Sequence, residues 1–198
     1  MSYSYRIEQA IRAASVLHKG QVRKGDTPFP YITHLYAVAM LVSDYTDDED
    51  IIVAALLHDT LEDTDYTPEE LQDDFGGIVK DIVLGVTQPE PDAEGKEAWK
   101  NAKKQYIKQL KNAPEGSLMV SAADKIHNMR CIVEDFYDKP SEFTASFGGS
   151  INDRLLQYQE ISNVLNRRLN NGILDEFNHV FTEYRNFLEY VEQRNSEF

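Results

Sequence analysis

The sequence predicts an all-α protein, on three observations. Apolar residues recur at helical spacing through nearly the whole chain, and strand-like alternation is almost absent. The run from Ile51 to Leu57 is apolar nearly all round, as expected of a central, buried helix. The punctuation is that of helix ends: Thr67-Pro68-Glu69-Glu70 combines a capping threonine, a proline at the first helical position and a glutamate at the third. With 198 residues the chain is long enough for one sizeable domain. The expected architecture is one bundle of about 8–10 helices spanning residues 1–198.

The elements follow in order. Ile7, Ala10, Ile11, Ala14 and Leu17 form a first apolar stripe, and Leu35, Val38, Ala39, Val42 and Tyr45 a second. After the Ile51–Leu57 run, the helix opened at Thr67 is short and stops at Gly76-Gly77. Ile78, Val79, Ile82, Val83 and Val86 make the next stripe. Gln88 to Gly95 reads as a solvated loop suited to act as a lid. Trp99, Ala102, Tyr106, Ile107 and Leu110 define a further helix, which Ala113-Pro114 breaks. Leu118 to Phe136 reads as a long helix ending before Lys139-Pro140. Ser141 to Gly149, with Gly148-Gly149, reads as a second loop. Helices over Ile151–Leu169 and Ile173–Val191 complete the bundle or form a homodimer surface.

Composition narrows the function classes. Twenty Lys and Arg stand against 34 Asp and Glu, a net charge of −14, which repels long nucleic acids. Lys and Arg cluster instead at Arg23-Lys24 and between Lys96 and Lys111, which suits a small polyanion. The single cysteine, Cys131, excludes an internal disulfide. No stretch has the length of a membrane span and the N-terminus has no signal-type apolar region, so a cytoplasmic protein is expected.

The chemistry concentrates where the apolar run ends. His58-Asp59 follows Leu57 directly, and Glu62 and Asp63 lie one turn further, on the face of Asp59 if the helix continues. Buried charges are costly unless paired or bound to metal. His34, near a helix start, and Asp124, among the small residues Ser121-Ala122-Ala123, could complete two imidazoles and two carboxylates. Such a mixed set suits Mn²⁺, Fe²⁺, Co²⁺ or Zn²⁺, and water on such an ion can attack phosphorus.

His34, His58-Asp59 and Asp124 match the H…HD…D pattern of HD-domain phosphohydrolases. The surrounding words are more specific: Gly20-Gln21-Val22-Arg23-Lys24-Gly25, Pro30-Tyr31-Ile32-Thr33-His34, Ala55 to Thr64, Phe75-Gly76, Gly85-Val86-Thr87 and Ala123-Asp124-Lys125-Ile126-His127-Asn128-Met129-Arg130, in that order. Together they resemble the hydrolase domain of bifunctional alarmone synthetase-hydrolases and the small alarmone hydrolases. The motif-bearing part runs from about residue 5 to 137.

The resemblance implies Mn²⁺-dependent removal of the 3′-pyrophosphate of ppGpp or pppGpp, giving GDP or GTP. Zn²⁺, Co²⁺, Fe²⁺ and Mg²⁺ are the alternative ions. It implies that His34, His58, Asp59 and Asp124 hold the metal, and that Glu62 and Asp63 position water and handle protons. Arg23 and Lys24 would clamp phosphate and Asn128 would bind the ribose or phosphate region. A phosphate-binding lysine is expected from the helix after the loop, where Lys100, Lys103 and Lys104 are candidates. Two departures stand out: Leu35 follows His34 where the family has proline, and the sequence diverges after Thr87. The rival readings are an HD hydrolase of another nucleotide (ppApp, NADPH or a nucleoside monophosphate) and a non-catalytic metal-containing nucleotide sensor. His18, His127 and His179 are read as packing residues, Trp99, Tyr106 and Tyr158 as core aromatics, Cys131 as core. Arg154 is a weaker phosphate candidate.

Overall fold

The computed structural model describes residues 3–24, 27–147 and 151–196. Gly25, within the first motif, and Gly148-Gly149 lie outside the described residues. The all-α expectation holds: the described residues form eleven helices, with one isolated antiparallel bridge between Val22 and Pro30. In order they are α1 (Tyr5–Leu17), α2 (Ile32–Ser43), α3 (Glu49–Leu57), α4 (Thr60–Asp63), α5 (Pro68–Phe75), α6 (Gly77–Val86), α7 (Lys96–Leu110), α8 (Glu115–Phe136), α9 (Pro140–Phe147), α10 (Ile151–Arg168) and α11 (Ile173–Ser196). No helix of the described residues is long and apolar enough to cross a membrane.

The helix ends have local physical causes. Ser4 caps α1 by accepting from the Ile7 amide, and Asp48 caps α3 by accepting from that of Asp50. Thr67 and Glu70 close a reciprocal capping box at α5. Gly76 joins α5 to α6 at φ 92°, a left-handed conformation that favours glycine.

Helix α3 is the axis of the fold. Ile52 to Leu57 are all buried, and the helix packs against α1, α2, α6 and α8. A helix without a polar face needs neighbours on every side. Helix α8 is the second axis: residues 116–126 are buried without interruption, and the helix also packs on α2, α9, α10 and α11.

Two expectations need correcting. The first concerns Ser141 onward, expected as a loop: Pro140 starts helix α9 instead. Its driving force is tertiary, because Phe143 is buried and meets Phe136 and Phe187 edge-on at 5.9 and 5.4 Å. The second concerns a helix continuing beyond Leu57. The chain turns at His58-Asp59, and α4 then adds one short helix to the expected number.

Helices α6 and α8 approach unusually closely. A Cβ on Gly85 would lie 2.8 Å from the Ser117 Cβ and 3.1 Å from that of Ala113. Ser117 is fixed there, its hydroxyl donating to the Ile82 carbonyl at 2.8 Å. Gly85→Ala gains about 1 kcal/mol of helix propensity, but overpacking costs about 1–3 kcal/mol. We expect net destabilisation in urea unfolding; a stabilised variant would show that the helices separate freely.

Candidate metal centre

The turn at His58-Asp59 is built by side chains that cap the end of α3. His58 Nδ1 donates to the Ala55 carbonyl at 2.8 Å, and Thr60 Oγ1 to that of Leu57 at 2.6 Å. Two carbonyls without partners in α3 are thereby satisfied. Asp59 has φ −96° and ψ −1°, the bridge region that often holds active-site residues. The chain then winds one more turn, with the Glu62 and Asp63 amides both donating to the Asp59 carbonyl. Glu62 and Asp63 therefore remain one turn from Asp59, although α3 itself has ended.

Helices α2, α3 and α8 bring four groups together at this turn. His34 Nε2 lies 3.5 Å from Asp59 Oδ2 and 3.2 Å from Asp124 Oδ1. His58 Nε2 lies 3.2 Å from Asp59 Oδ2 and 3.9 Å from Asp124 Oδ1. One ligand atom from each of His34, His58 and Asp59 falls within a 4.8 Å cluster able to hold a metal ion. The two imidazoles are 1 and 3% exposed.

Proton positions test whether the cluster fits a cation. His58 Nδ1 faces only the Ala55 carbonyl, so it carries the ring proton of the neutral imidazole. Its Nε2 then presents a lone pair, is buried, and makes no hydrogen bond. That lone pair faces a carboxylate oxygen, an arrangement a divalent cation satisfies. The negative end of the α3 dipole adds to the attraction. The residues present fit a divalent metal ion with N and O ligands.

Each carboxylate is held from behind. Tyr31 donates to Asp59 Oδ2 at 2.7 Å. Lys125 Nζ donates to Asp124 Oδ2 at 2.5 Å, and Asn128 to Asp124 Oδ1. Burial alone would raise the Asp124 pKa, yet the Lys125 ammonium beside it holds it well below the usual carboxylate range. The chain of contacts extends outward, as Arg23 donates to Asn128 Oδ1 at 2.5 Å and lies over the Tyr31 ring.

Two clefts meet at Asp63. One, of about 500 Å³, is lined by Glu62, Asp63, Gln88, Trp99 and Lys103. The other, of about 390 Å³, is lined by Arg23, Lys24, Asp63, Asn128, Arg154 and Tyr158. Glu62 is open to the first cleft, but the protein packed around its carboxylate pushes its pKa up to about 7. Its Oε1 accepts from the Gln88 amide at 2.6 Å, and Lys103 donates to the Gln88 side chain. Burial and the neighbouring Asp59 raise Asp63 as well.

The sequence-predicted residues thus divide. His34, His58, Asp59 and Asp124 converge, Glu62 and Asp63 border them, and Arg23, Lys24 and Asn128 share one cleft. Lys103 lines the other. Lys104 lines neither cleft but, with Lys100 and Lys103, a smaller groove beside α10, and Lys100 pairs with Asp153 at 3.6 Å. Tyr31 and Lys125 were quoted in motifs without a role. Tyr31 is three residues before His34, a same-face spacing that could have pointed to it. Lys125 is a lone cation in a segment otherwise fit for burial, which is itself a signal of pairing.

Residues 10–146 match the family model described as the HD domain. The chain belongs to the HD-domain family. Among curated proteins, the GTP pyrophosphokinase of Streptomyces coelicolor is 39% identical over 126 residues, covering 63% of this chain and 14% of that protein. The mouse guanosine-3′,5′-bis(diphosphate) 3′-pyrophosphohydrolase MESH1 is 35% identical over 133 residues, covering 65% of this chain and 70% of that protein. This HD-domain chain therefore spans only a small part of its longer relatives. A solved metazoan orthologue of SpoT, described as hydrolysing ppGpp, superposes with a TM-score of 0.74 at 24% identity, covering 92% of this chain and 97% of that one. That likeness shows the fold.

The Lys125–Asp124 pair yields a prediction. Breaking a buried ion pair from one side costs about 3–5 kcal/mol. Chelator-treated Lys125→Met protein should lose stability on that scale in urea unfolding, and adding Asp124→Asn should recover part of it. Wild-type stability in the single variant would mean that the pair is not a structural support.

Proposed function

We propose that this chain hydrolyses the 3′-pyrophosphate of ppGpp or pppGpp, releasing GDP or GTP and pyrophosphate. The observation that carries the reading is the cluster of His34, His58 and Asp59 one turn from Glu62 and Asp63, which line clefts that also hold Lys103 on one side and Arg23 with Lys24 on the other, in a chain whose net charge is −14. A small substrate with phosphates on both sides of its ribose suits that distribution. The mouse and Streptomyces relatives carry the names guanosine-3′,5′-bis(diphosphate) 3′-pyrophosphohydrolase and GTP pyrophosphokinase, which supports a guanosine polyphosphate as the substrate.

His34, His58, Asp59 and Asp124 would hold the ion, with Mn²⁺ the first choice. Bound there, a divalent ion supplies a lowered water pKa and a counter-charge for phosphoryl oxygens. Glu62, one turn from Asp59 and open to the cleft, accepts the proton of the attacking water. Asp63, at the meeting of the two clefts, orients that water. Lys103 on one side and Arg23 with Lys24 on the other offset the charge that grows on the phosphates. Asn128 joins Arg23 to Asp124, so a nucleotide seated on Arg23 is aligned with the ion. The ribose 3′-oxygen leaves as the phosphorus–oxygen bond breaks.

Two sets of variants test the roles. Asp59→Ala and Asp124→Ala should lose bound metal and turnover together. Glu62→Gln should keep the metal while kcat falls about 10²–10⁴-fold; activity near wild type would remove Glu62 from the chemistry. Lys103→Ala should lower kcat/KM far more than Lys104→Ala. A panel of ppGpp, ppApp, NADPH and deoxynucleoside monophosphates with Mn²⁺ identifies the substrate. Pyrophosphate release from ppGpp above all others is expected, and binding without turnover would favour a sensor.

A further inference from the structure

A metal-ligating imidazole needs a partner for its second ring nitrogen. Without one the ring is free to turn, and its buried N–H is left unsatisfied. His58 meets this need through the Ala55 carbonyl. His34 has no carbonyl in that position. Its Nδ1 lies 2.9 Å from Nδ1 of His127, with ring centroids 4.8 Å apart. His127 sits on α8 three residues after Asp124, on the same helical face.

Two ring nitrogens at this distance need one proton between them. If His127 supplies it, His34 carries its own proton on Nε2 and donates it to Asp124 Oδ1, 3.2 Å away. No lone pair then faces the centre. If His34 supplies it, Nε2 presents its lone pair toward Asp59 and Asp124.

We propose that His127 is a positioning residue of the metal centre: its Nδ1 accepts from His34 Nδ1 and so orients that ring in the tautomer that can ligate. The proposal rests on reading His34 as a ligand. An imidazole does here what a fixed carbonyl cannot, because the pair keeps a hydrogen bond in either tautomer. Converting one arrangement to the other conserves protons. The His127 Nδ1 proton passes to His34 Nδ1, the His34 Nε2 proton leaves to solvent, and His127 Nε2 takes one up. His127 is only half-buried, so that exchange has a route to water. Cys131, one turn further along α8, lies 3.8 and 3.7 Å from Nδ1 and Nε2 of His127.

Calorimetric titration of Mn²⁺ into chelator-stripped full chain tests this. His127→Leu should weaken Kd about 10–100-fold, with the urea midpoint of the stripped protein unchanged. His127→Asn, whose side-chain oxygen can take the acceptor position, should restore most of the affinity. Wild-type affinity in His127→Leu overturns the proposal, provided His34→Ala has lost binding. If His34→Ala still binds, the ligand reading itself fails. A second readout uses the unaltered chain loaded with diamagnetic Zn²⁺. Long-range ¹H–¹⁵N spectra should show His34 protonated at Nδ1 and His127 at Nε2; protonation of His127 at Nδ1 overturns the proposal.

Discussion

Lone pairs forced together in the interior set the terms for the rest of this structure. His58 Nε2 and the Asp59 carboxylate face each other at 3.2 Å, and in the neutral imidazole the Nδ1 proton is given to Ala55, which leaves a lone pair on Nε2. Two carboxylates and two neutral imidazoles in a buried cluster repel unless a cation is shared among them. The fold accepts this cost at the turn after α3. That helix is apolar on every side and so has its position fixed by α1, α2, α6 and α8. A ligand pair attached to its last residue inherits that rigidity.

The remaining groups are arranged to keep the cluster in place. Tyr31 holds Asp59, while Lys125 and Asn128 hold the two oxygens of Asp124. These supports come from the start of α2 and from α8, so all three helices must be docked before the centre exists. The Arg23–Asn128–Asp124 chain then links the centre to one cleft, and the Glu62–Gln88–Lys103 chain links its edge to the other. Gln88 opens the acidic loop between α6 and α7. The loop therefore touches the proposed proton acceptor rather than merely covering the cleft. A cation at the centre would draw the raised Glu62 pKa back down, coupling metal occupancy to the state of that carboxyl.

Much of this was legible in the sequence, for physical reasons. Helical periodicity and caps are local, so most helices and the Thr67–Glu70 capping box could be read directly. Helix α9 could not, because its segment has the composition of a loop and only the distant Phe136 and Phe187 make Phe143 a core residue. The turn at His58-Asp59 was equally hidden: no glycine or proline marks it, and it is made by two side chains bonding back to α3. The ligand types were readable from the motifs, whereas their supports were not. His127 meets His34 across 93 residues of chain. Lys103 and Lys104 are adjacent in sequence but about 100° apart on the helix, so only the packed position of α7 decides which faces the cleft.

In the proposed reading, one divalent ion held at the turn after α3 is what drives release of pyrophosphate. That reading is tested most directly by adding Mn²⁺ stepwise to metal-stripped protein with ppGpp and following pyrophosphate release. No release is expected without metal, and the rate should rise and level off near one ion per chain. Undiminished release in the presence of excess chelator would contradict it.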